Sequence, residues 1–176
     1  MPRNLEIKAT VRDLPRLTQA VEEIAGKPIE ILTQKDTYFR TNSGRLKIRD
    51  AGPARGQLIY YERSDEAGPR TSGYLTAPIA AVDALARVLD EALGIVGTVS
   101  KKRVVYLVGR TRIHLDEVDG LGCFIELEYV FEDPNAMYTG SDVEAQRAAL
   151  VAVAELMDRL DIKRTDLIGT SYINLK

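Results

Sequence analysis

Cysteine is almost missing from this chain of 176 residues: Cys123 stands alone, so no internal disulfide can form. His114 is the only histidine, and no HExxH pair sets two imidazoles on one helix face. A phosphate loop of the GxxxxGK(S/T) type is absent as well, and Gly120-Leu121-Gly122 reads as a hairpin turn, not a dinucleotide fingerprint. No apolar run is long enough to cross a bilayer and no charged-then-apolar leader opens the sequence, so a cytoplasmic protein is expected. A charge excess is lacking too. With 24 basic and 26 acidic residues the net charge is -2 and the pI is near 5.6, which argues against binding nucleic acid or an anionic membrane through overall electrostatics. Any anion site must come from local clustering.

What is present suits one domain spanning 1–176, because 45% apolar and 28% charged residues at this length supply a single substantial core. Helices are expected at Asp13–Ala25, where Leu14, Leu17, Val21 and Ile24 recur at three and four, and at Val82–Leu93, with Val82, Leu85, Leu89 and Leu93. A third begins at Ser141, spaced with Glu144 as a capping box, and carries Leu150, Val153, Leu156, Met157 and Leu160. Between these, seven segments alternate with period two: Asn4–Ala9, Thr37–Thr41, Arg45–Asp50, Leu58–Arg63, Lys101–Val108, Thr111–Val118 and Cys123–Phe131. Short connections such as Asn42-Ser43-Gly44 and Gly109-Arg110 read as hairpins, so pairing is mostly antiparallel. The fold class is α+β.

In a strand, residues i and i+2 face the same side. Asn4, Glu6 and Lys8 therefore oppose Leu5, Ile7 and Ala9, while Arg45, Lys47 and Arg49 oppose Leu46 and Ile48. Lys101 and Arg103 share a side with Val105; Arg112, His114 and Asp116 oppose Ile113 and Leu115; Glu126 and Glu128 oppose Cys123, Ile125, Leu127, Tyr129 and Phe131. A sheet with one wet face shows alternation without any function, but a wet face normally mixes signs. Here Arg45, Lys47 and Arg49 make an unbroken basic row, and Glu126 with Glu128 an unbroken acidic one. Like charges 4 Å apart repel by roughly 4 kcal/mol at an effective dielectric near 20, so something must compensate each row. A polyanion compensates the first and a metal the second. Lys and Arg donate charge-assisted hydrogen bonds to phosphate, and an all-oxygen set suits Mg2+ or Mn2+. Phosphoryl-transfer sites need this combination.

The residues resemble a known family. Asn4-Leu5-Glu6-Ile7-Lys8 looks like the ExExK signature of the CYTH superfamily, which includes CyaB-type class IV adenylyl cyclases and thiamine triphosphatases. Further likenesses follow in order over nearly the whole chain: Gln34-Lys35-Asp36-Thr37-Tyr38-Phe39, Arg45-Leu46-Lys47-Ile48-Arg49, Lys101-Lys102-Arg103, Arg112 with Asp116, Gly120 to Phe124, Ile125-Glu126-Leu127-Glu128, and the ending Ser171-Tyr172-Ile173-Asn174-Leu175. The resemblance implies a tunnel-like antiparallel barrel with ionic faces inward and helices outside, holding ATP or another triphosphate. Carried over to these positions, it implies that Glu6, Glu126 and Glu128 ligate Mg2+ or Mn2+ with help from Asp116. Lys8, Lys47, Arg49, Arg103 and Arg112 would bind phosphates, with Lys101 and Arg45 as lesser contributors, and Glu6, Lys8, Arg112 and Asp116 would serve catalysis.

Two positions depart from the family. Asn4 replaces the first glutamate of ExExK and brings a carbonyl oxygen without charge; Glu62 stands where many members carry a lysine, with Arg63 expected on the opposite face. His114 is read as a neutral partner beside the cationic row, Tyr38, Tyr60 and Tyr61 as packing, and Cys123 as a buried inert thiol. Three functions remain in play: an adenylyl cyclase, a triphosphatase, and a non-catalytic polyphosphate-binding module. A homodimer is left open.

Overall fold

The computed structural model describes residues 3–131 and 141–176. Among them, eight strands form a closed antiparallel barrel: β1 (Arg3–Val11), β2 (Glu30–Phe39), β3 (Arg45–Asp50), β4 (Gly56–Glu62), β5 (Arg70–Ile79), β6 (Ile95–Val108), β7 (Thr111–Val118) and β8 (Gly122–Val130). The order around the barrel is β1-β5-β4-β3-β2-β6-β7-β8, with β8 closing onto β1. Closure leaves no unpaired edge, and eight strands enclose a lumen wide enough for side chains or one small ligand.

Three helices pack outside, namely α1 (Leu14–Ala25), α2 (Val82–Leu93) and α3 (Ser141–Arg159). Asp13 caps α1 by accepting from the Arg16 N–H at 3.0 Å, Pro15 lies in its first turn, and Gly26 ends it at φ 75°. The outer faces of β1, β7 and β8 are apolar and lie under α1 and α3, burying Leu5, Ile7, Ile113, Ile125 and Leu127 with Val21, Val153 and Leu156. Ala149 takes the buried place expected of Leu150, which is 40% exposed, because Ala149 stands four residues before the buried Val153, on the same face of α3 as Leu156 and Leu160. The capping box at Ser141 involves a side chain outside the described residues.

Seven strands were legible and one was not. β5 carries Gly73 and Pro78 and sets Ser72, Tyr74 and Thr76 against Thr71, Leu75 and Ala77, so neither face is clearly apolar. It is a strand because β1 and β4 pair with it on both sides. β2 begins at Glu30 instead of Thr37 and β6 at Ile95 instead of Lys101, since each supplies the long ladder the other needs. Cys123 is half-buried, not buried, because it lies one residue from the end of its strand.

The barrel is sealed at one end. After α3 the chain pairs Leu167 with Ala9, donates the Ile168 N–H to the Lys8 carbonyl at 2.9 Å, and turns Tyr172 inward against Phe124 with ring centres 4.9 Å apart. Tyr38, Tyr61, Val99 and Val118 complete this internal apolar plug. Gly169 threads so close to the loop before β5 that a Cβ there would lie 2.1 Å from the Asp65 carbonyl oxygen. Gly169→Ala should therefore lower stability by about 1–3 kcal/mol. Urea unfolding monitored by circular dichroism measures it, and a wild-type midpoint would show that the tail is not seated this way.

Candidate active site

The inward faces enclose a cavity of about 650 Å3, inside the range of roughly 300–1,000 Å3 typical of small-ligand sites. Its exposed lining residues, Ile29, Gln57, Thr76 and Arg112, all lie at the end opposite the C-terminal plug. That end is the mouth. Leu32, Ile59, Tyr74 and Val105 line the cavity near it, and charged side chains fill the middle.

Two walls differ in sign. Glu6 on β1 is the register partner of Glu128 on β8, and Lys8 is the partner of Glu126, so three carboxylates share adjacent strands. Three strands away in either direction lie β2 and β3, carrying Asp36, Lys47 and Arg49. Lys101 and Arg103 on β6 stand between the two walls. Basic side chains outnumber acidic ones along the lining.

The basic groups are held by internal carboxylates. Lys47 Nζ lies 2.6 Å from Asp36, which also receives Arg49 through two hydrogen bonds of 2.8 Å. Asp116, with no exposed surface, receives Lys101 at 2.9 Å, Arg103 twice at 2.6 Å and the Tyr172 hydroxyl at 2.9 Å. Burial alone would raise both aspartates, but Lys47 with Arg49, and Arg103 with Lys101, outweigh it and hold them below the usual carboxylate range. Burial and the neighbouring Arg49 push Lys47 down to about 7, with Asp36 opposing; burial and Arg103 push Lys101 down to about 8.

On the acidic wall every carboxylate already has a partner. Glu126 takes Lys8 at 3.2 Å and Arg103 at 2.5 Å; burial pushes its carboxyl up, and these cations bring it well below its ordinary value. Glu6 pairs with Arg63 and, at 3.5 Å, with Arg70. Glu128 accepts from Asn4 Nδ2 and from Arg112 at 3.3 Å. Lys8 also sits over the Tyr172 ring, 3.7 Å from its centre, and burial lowers its pKa. His114 lies between Glu126 and Glu128; burial, then Arg103, lowers its pKa, so the ring is neutral at pH 7. Among the described residues no three acidic or imidazole groups converge on one point.

The expected residues Glu6, Lys8, Lys47, Arg49, Lys101, Arg103, Arg112, Glu126 and Glu128 all line this one cavity. Asp116 lies against it, tied to Lys101 and Arg103. Arg45 sits toward the plugged end instead, paired with Asp65 and outside the lining. The expectation for β4 was off by one residue. Gln57, Ile59, Tyr61 and Arg63 face inward, while Glu62 is exposed and accepts from the Tyr60 hydroxyl, because the register pairs Ile59 with the inward Lys47. Arg63, the residue just after β4, and not residue 62, is therefore the charged residue brought to the cavity here. Sequence reasoning also missed Asp36, Arg70 and Tyr172. Asp36 fell just before the strand start assigned at Thr37, Arg70 opens the unread β5, and no periodicity marks Tyr172 as inward.

Comparison with known proteins agrees with this architecture. A Methanocaldococcus jannaschii protein provisionally named an adenylate cyclase is 24% identical over 181 residues, covering 98% of this chain and 97% of its own. A solved structure from Pyrococcus horikoshii superposes with a TM-score of 0.81 at 20% identity, over 98% of each chain. One from Hippeastrum, a provisionally named adenylyl cyclase for which a dominant triphosphatase activity is described, superposes at 0.64 with 15% identity, over 98% of this chain and 94% of that one. The structural matches establish the shared barrel. The family model described as the CYTH domain matches residues 2–150, the greater part of the sequence, and this chain belongs to that family.

Proposed function

We propose that this protein is a metal-dependent phosphoryl-transfer enzyme acting on ATP, which it cyclises to cyclic AMP and pyrophosphate. The observation that carries the reading is the opposition of an acidic wall on β1 and β8 to a basic wall on β3, across a cavity open at one end. Phosphoryl transfer is chiefly positioning and neutralisation of charge, and such walls supply both. The phosphates lie among Lys47, Arg49, Lys101 and Arg103, with Lys8 and Arg63 reaching from the other side. The base and ribose lie toward Leu32, Ile59, Tyr74 and Val105.

The donors are all oxygens, the type that a hard divalent cation such as Mg2+ or Mn2+ takes, on side chains that among the described residues stand apart and would have to close on the ion. Glu6 and Glu128 are register partners, and Asn4 Oδ1 beside them is buried with no hydrogen-bond partner. Glu6, Glu126 and Glu128 would hold the ion, which when bound neutralises phosphate charge and acidifies an attacking hydroxyl. Asp116 orients Lys101 and Arg103, and its oxygens are already engaged. In the reaction the ribose 3′-oxygen bonds to the α-phosphorus as the bond to the bridging oxygen breaks. The hydroxyl proton passes to the acidic wall, and pyrophosphate leaves against Lys47, Arg49 and Arg103. Arg112, half exposed at the mouth, closes over the triphosphate from the side of Glu128. A second reading, hydrolysis of a triphosphate by water, is favoured by the triphosphatase activity described for the Hippeastrum neighbour.

Incubation with ATP and, separately, inorganic triphosphate in Mg2+ or Mn2+ distinguishes these. Cyclic AMP with pyrophosphate is expected. Orthophosphate without cyclic AMP would transfer the assignment to the hydrolase, and tight binding without turnover would overturn both enzymatic readings.

Two further outcomes follow from the walls. Glu126→Gln combined with Glu128→Gln should lower turnover by about 10²–10³-fold while circular dichroism stays unchanged; undiminished turnover would remove the acidic wall from the mechanism. Lys47, ordinarily near 10.5, is pushed down to about 7 by burial and by the neighbouring Arg49. The unfolded chain keeps the ammonium proton to higher pH, so the Lys47 contribution to stability rises from about pH 7 upward. A bound polyanion favours the charged amine, so triphosphate binding at pH 8 should take up protons, and affinity should fall as pH rises through 7 to 8. Calorimetry in two buffers of different ionisation enthalpy measures the uptake, and a buffer-independent heat would contradict it.

A further inference from the structure

Along the inward side of β2, Leu32, Gln34, Asp36 and Tyr38 run from the mouth toward the plug. Leu32 belongs to the apolar rim and Asp36 holds Lys47 and Arg49, so Gln34 is the neutral polar step between them. It is 4% exposed and is the register partner of Lys101. Among the described residues no hydrogen bond reaches its amide, and Oε1 is buried without a partner. Such a group weakens the fold on its own, because the amide gives up water and gains nothing, whereas leucine would fill the same place without that cost. A partner from outside the chain accounts for an amide kept here.

The chemistry of that partner is narrow. Phosphate oxygens only accept, so they leave the amide carbonyl unanswered, and Lys47, Arg49, Lys101 and Arg103 offer them stronger, charged donors. A hydroxyl both donates and accepts, and can therefore answer either end of an amide. In a nucleotide the neutral hydroxyls lie on the ribose, between the apolar base and the charged tail, which is the step that Gln34 occupies on β2. β5, β4 and β3 separate β2 from β1 on one side, and β6, β7 and β8 on the other, so Gln34 looks across the lumen at the acidic wall. The 3′-oxygen is directed to that wall in the proposed reaction. The hydroxyl left for Gln34 is its neighbour on the ring, the 2′-hydroxyl.

We infer that Gln34 is a specificity-determining residue that binds the ribose 2′-hydroxyl, so that the cavity selects ribonucleoside triphosphates over their 2′-deoxy counterparts. The inference rests on the triphosphate reading, which sets the phosphates among Lys47, Arg49, Lys101 and Arg103 and brings the sugar to β2. A 2′-deoxyribose in the same place leaves the buried amide unpaired, which is how a site built to hydrogen-bond a hydroxyl rejects a ligand without one.

The test uses the full chain in Mg2+ with three ligands: the α,β-methylene analogue of ATP, from which pyrophosphate cannot leave, its 2′-deoxy counterpart, and inorganic triphosphate. Calorimetry should give the ribose analogue about ten-fold tighter binding than the deoxy analogue. Gln34→Leu should bring the two within about two-fold by weakening the ribose analogue alone. Inorganic triphosphate should bind the variant as it binds the wild type, and the melting temperature of the unliganded protein should hold or rise. Equal binding of the two analogues by the wild type would overturn the inference, as would a preference that survives in Gln34→Leu. An equal loss for inorganic triphosphate would make Gln34 a phosphate contact, and a variant that fails to fold or melts well below the wild type would make the amide structural; either result overturns it too. If inorganic triphosphate binds while the two analogues bind alike, the sugar contact alone falls. If none of the three ligands binds, the triphosphate reading falls with it.

Discussion

A closed barrel cannot keep several lysines and arginines inside unless their charge is answered from within, because an uncompensated buried ion carries a penalty of several kcal/mol. Asp36 and Asp116 are that answer. Each sits at the centre of a small group, Asp36 between Lys47 and Arg49 and Asp116 among Lys101, Arg103 and Tyr172. Neither aspartate balances its group completely, since each has two cations, and the remaining positive field is directed into the lumen. Burial first, and then the neighbouring arginine, depresses Lys47 and Lys101, so a proton on either adds to a field that already disfavours it. The carboxylates inside the barrel therefore leave part of its positive charge for an anion to answer. The acidic wall is the mirror case: Lys8, Arg63, Arg70, Arg103 and Arg112 hold Glu6, Glu126 and Glu128 until something else does.

Much of this was readable from period-two alternation. The inward set Glu6, Lys8, Lys47, Arg49, Lys101, Arg103, Arg112, Glu126 and Glu128 follows from parity within strands whose outward residues are apolar, and parity survives errors of a few residues in strand ends. The reading failed where that contrast disappears. β5 mixes Ser, Thr, Tyr, Gly and Pro, so Arg70 had no strand to belong to; the parity of β4 was taken from a family lysine instead of from its pairing with β3, which turned Arg63 the wrong way. Partnerships were illegible for a different reason. Asp36 finding Lys47 and Arg49, or Tyr172 finding Asp116 from 56 positions away, depends on register across the barrel, and one strand's pattern contains no information on its neighbour's register.

The C-terminal segment connects the two halves of this design. Tyr172 is at once part of the apolar plug, a hydrogen-bond donor to Asp116 and a face for the Lys8 ammonium. Sealing the barrel and setting its electrostatics are thus performed by the same side chain, and the last residues of the chain complete a centre begun by the first strand.

The mouth at Ile29, Gln57, Thr76 and Arg112, opposite the plug, would also dictate an order of events in the proposed activity. In a blind tube too narrow for a long ligand to turn around, the end that enters first sits deepest and departs last. In the proposed activity a polyphosphate drawn inward by the positive field would lead, and the organic group would trail at the rim near Leu32 and Val105, which line the cavity. Once the linkage between them broke, the fragment at the rim would block the way of the one beneath it. Turnover would then be a queue, its pace set by how readily Lys47, Arg49 and Arg103 release the deeper fragment.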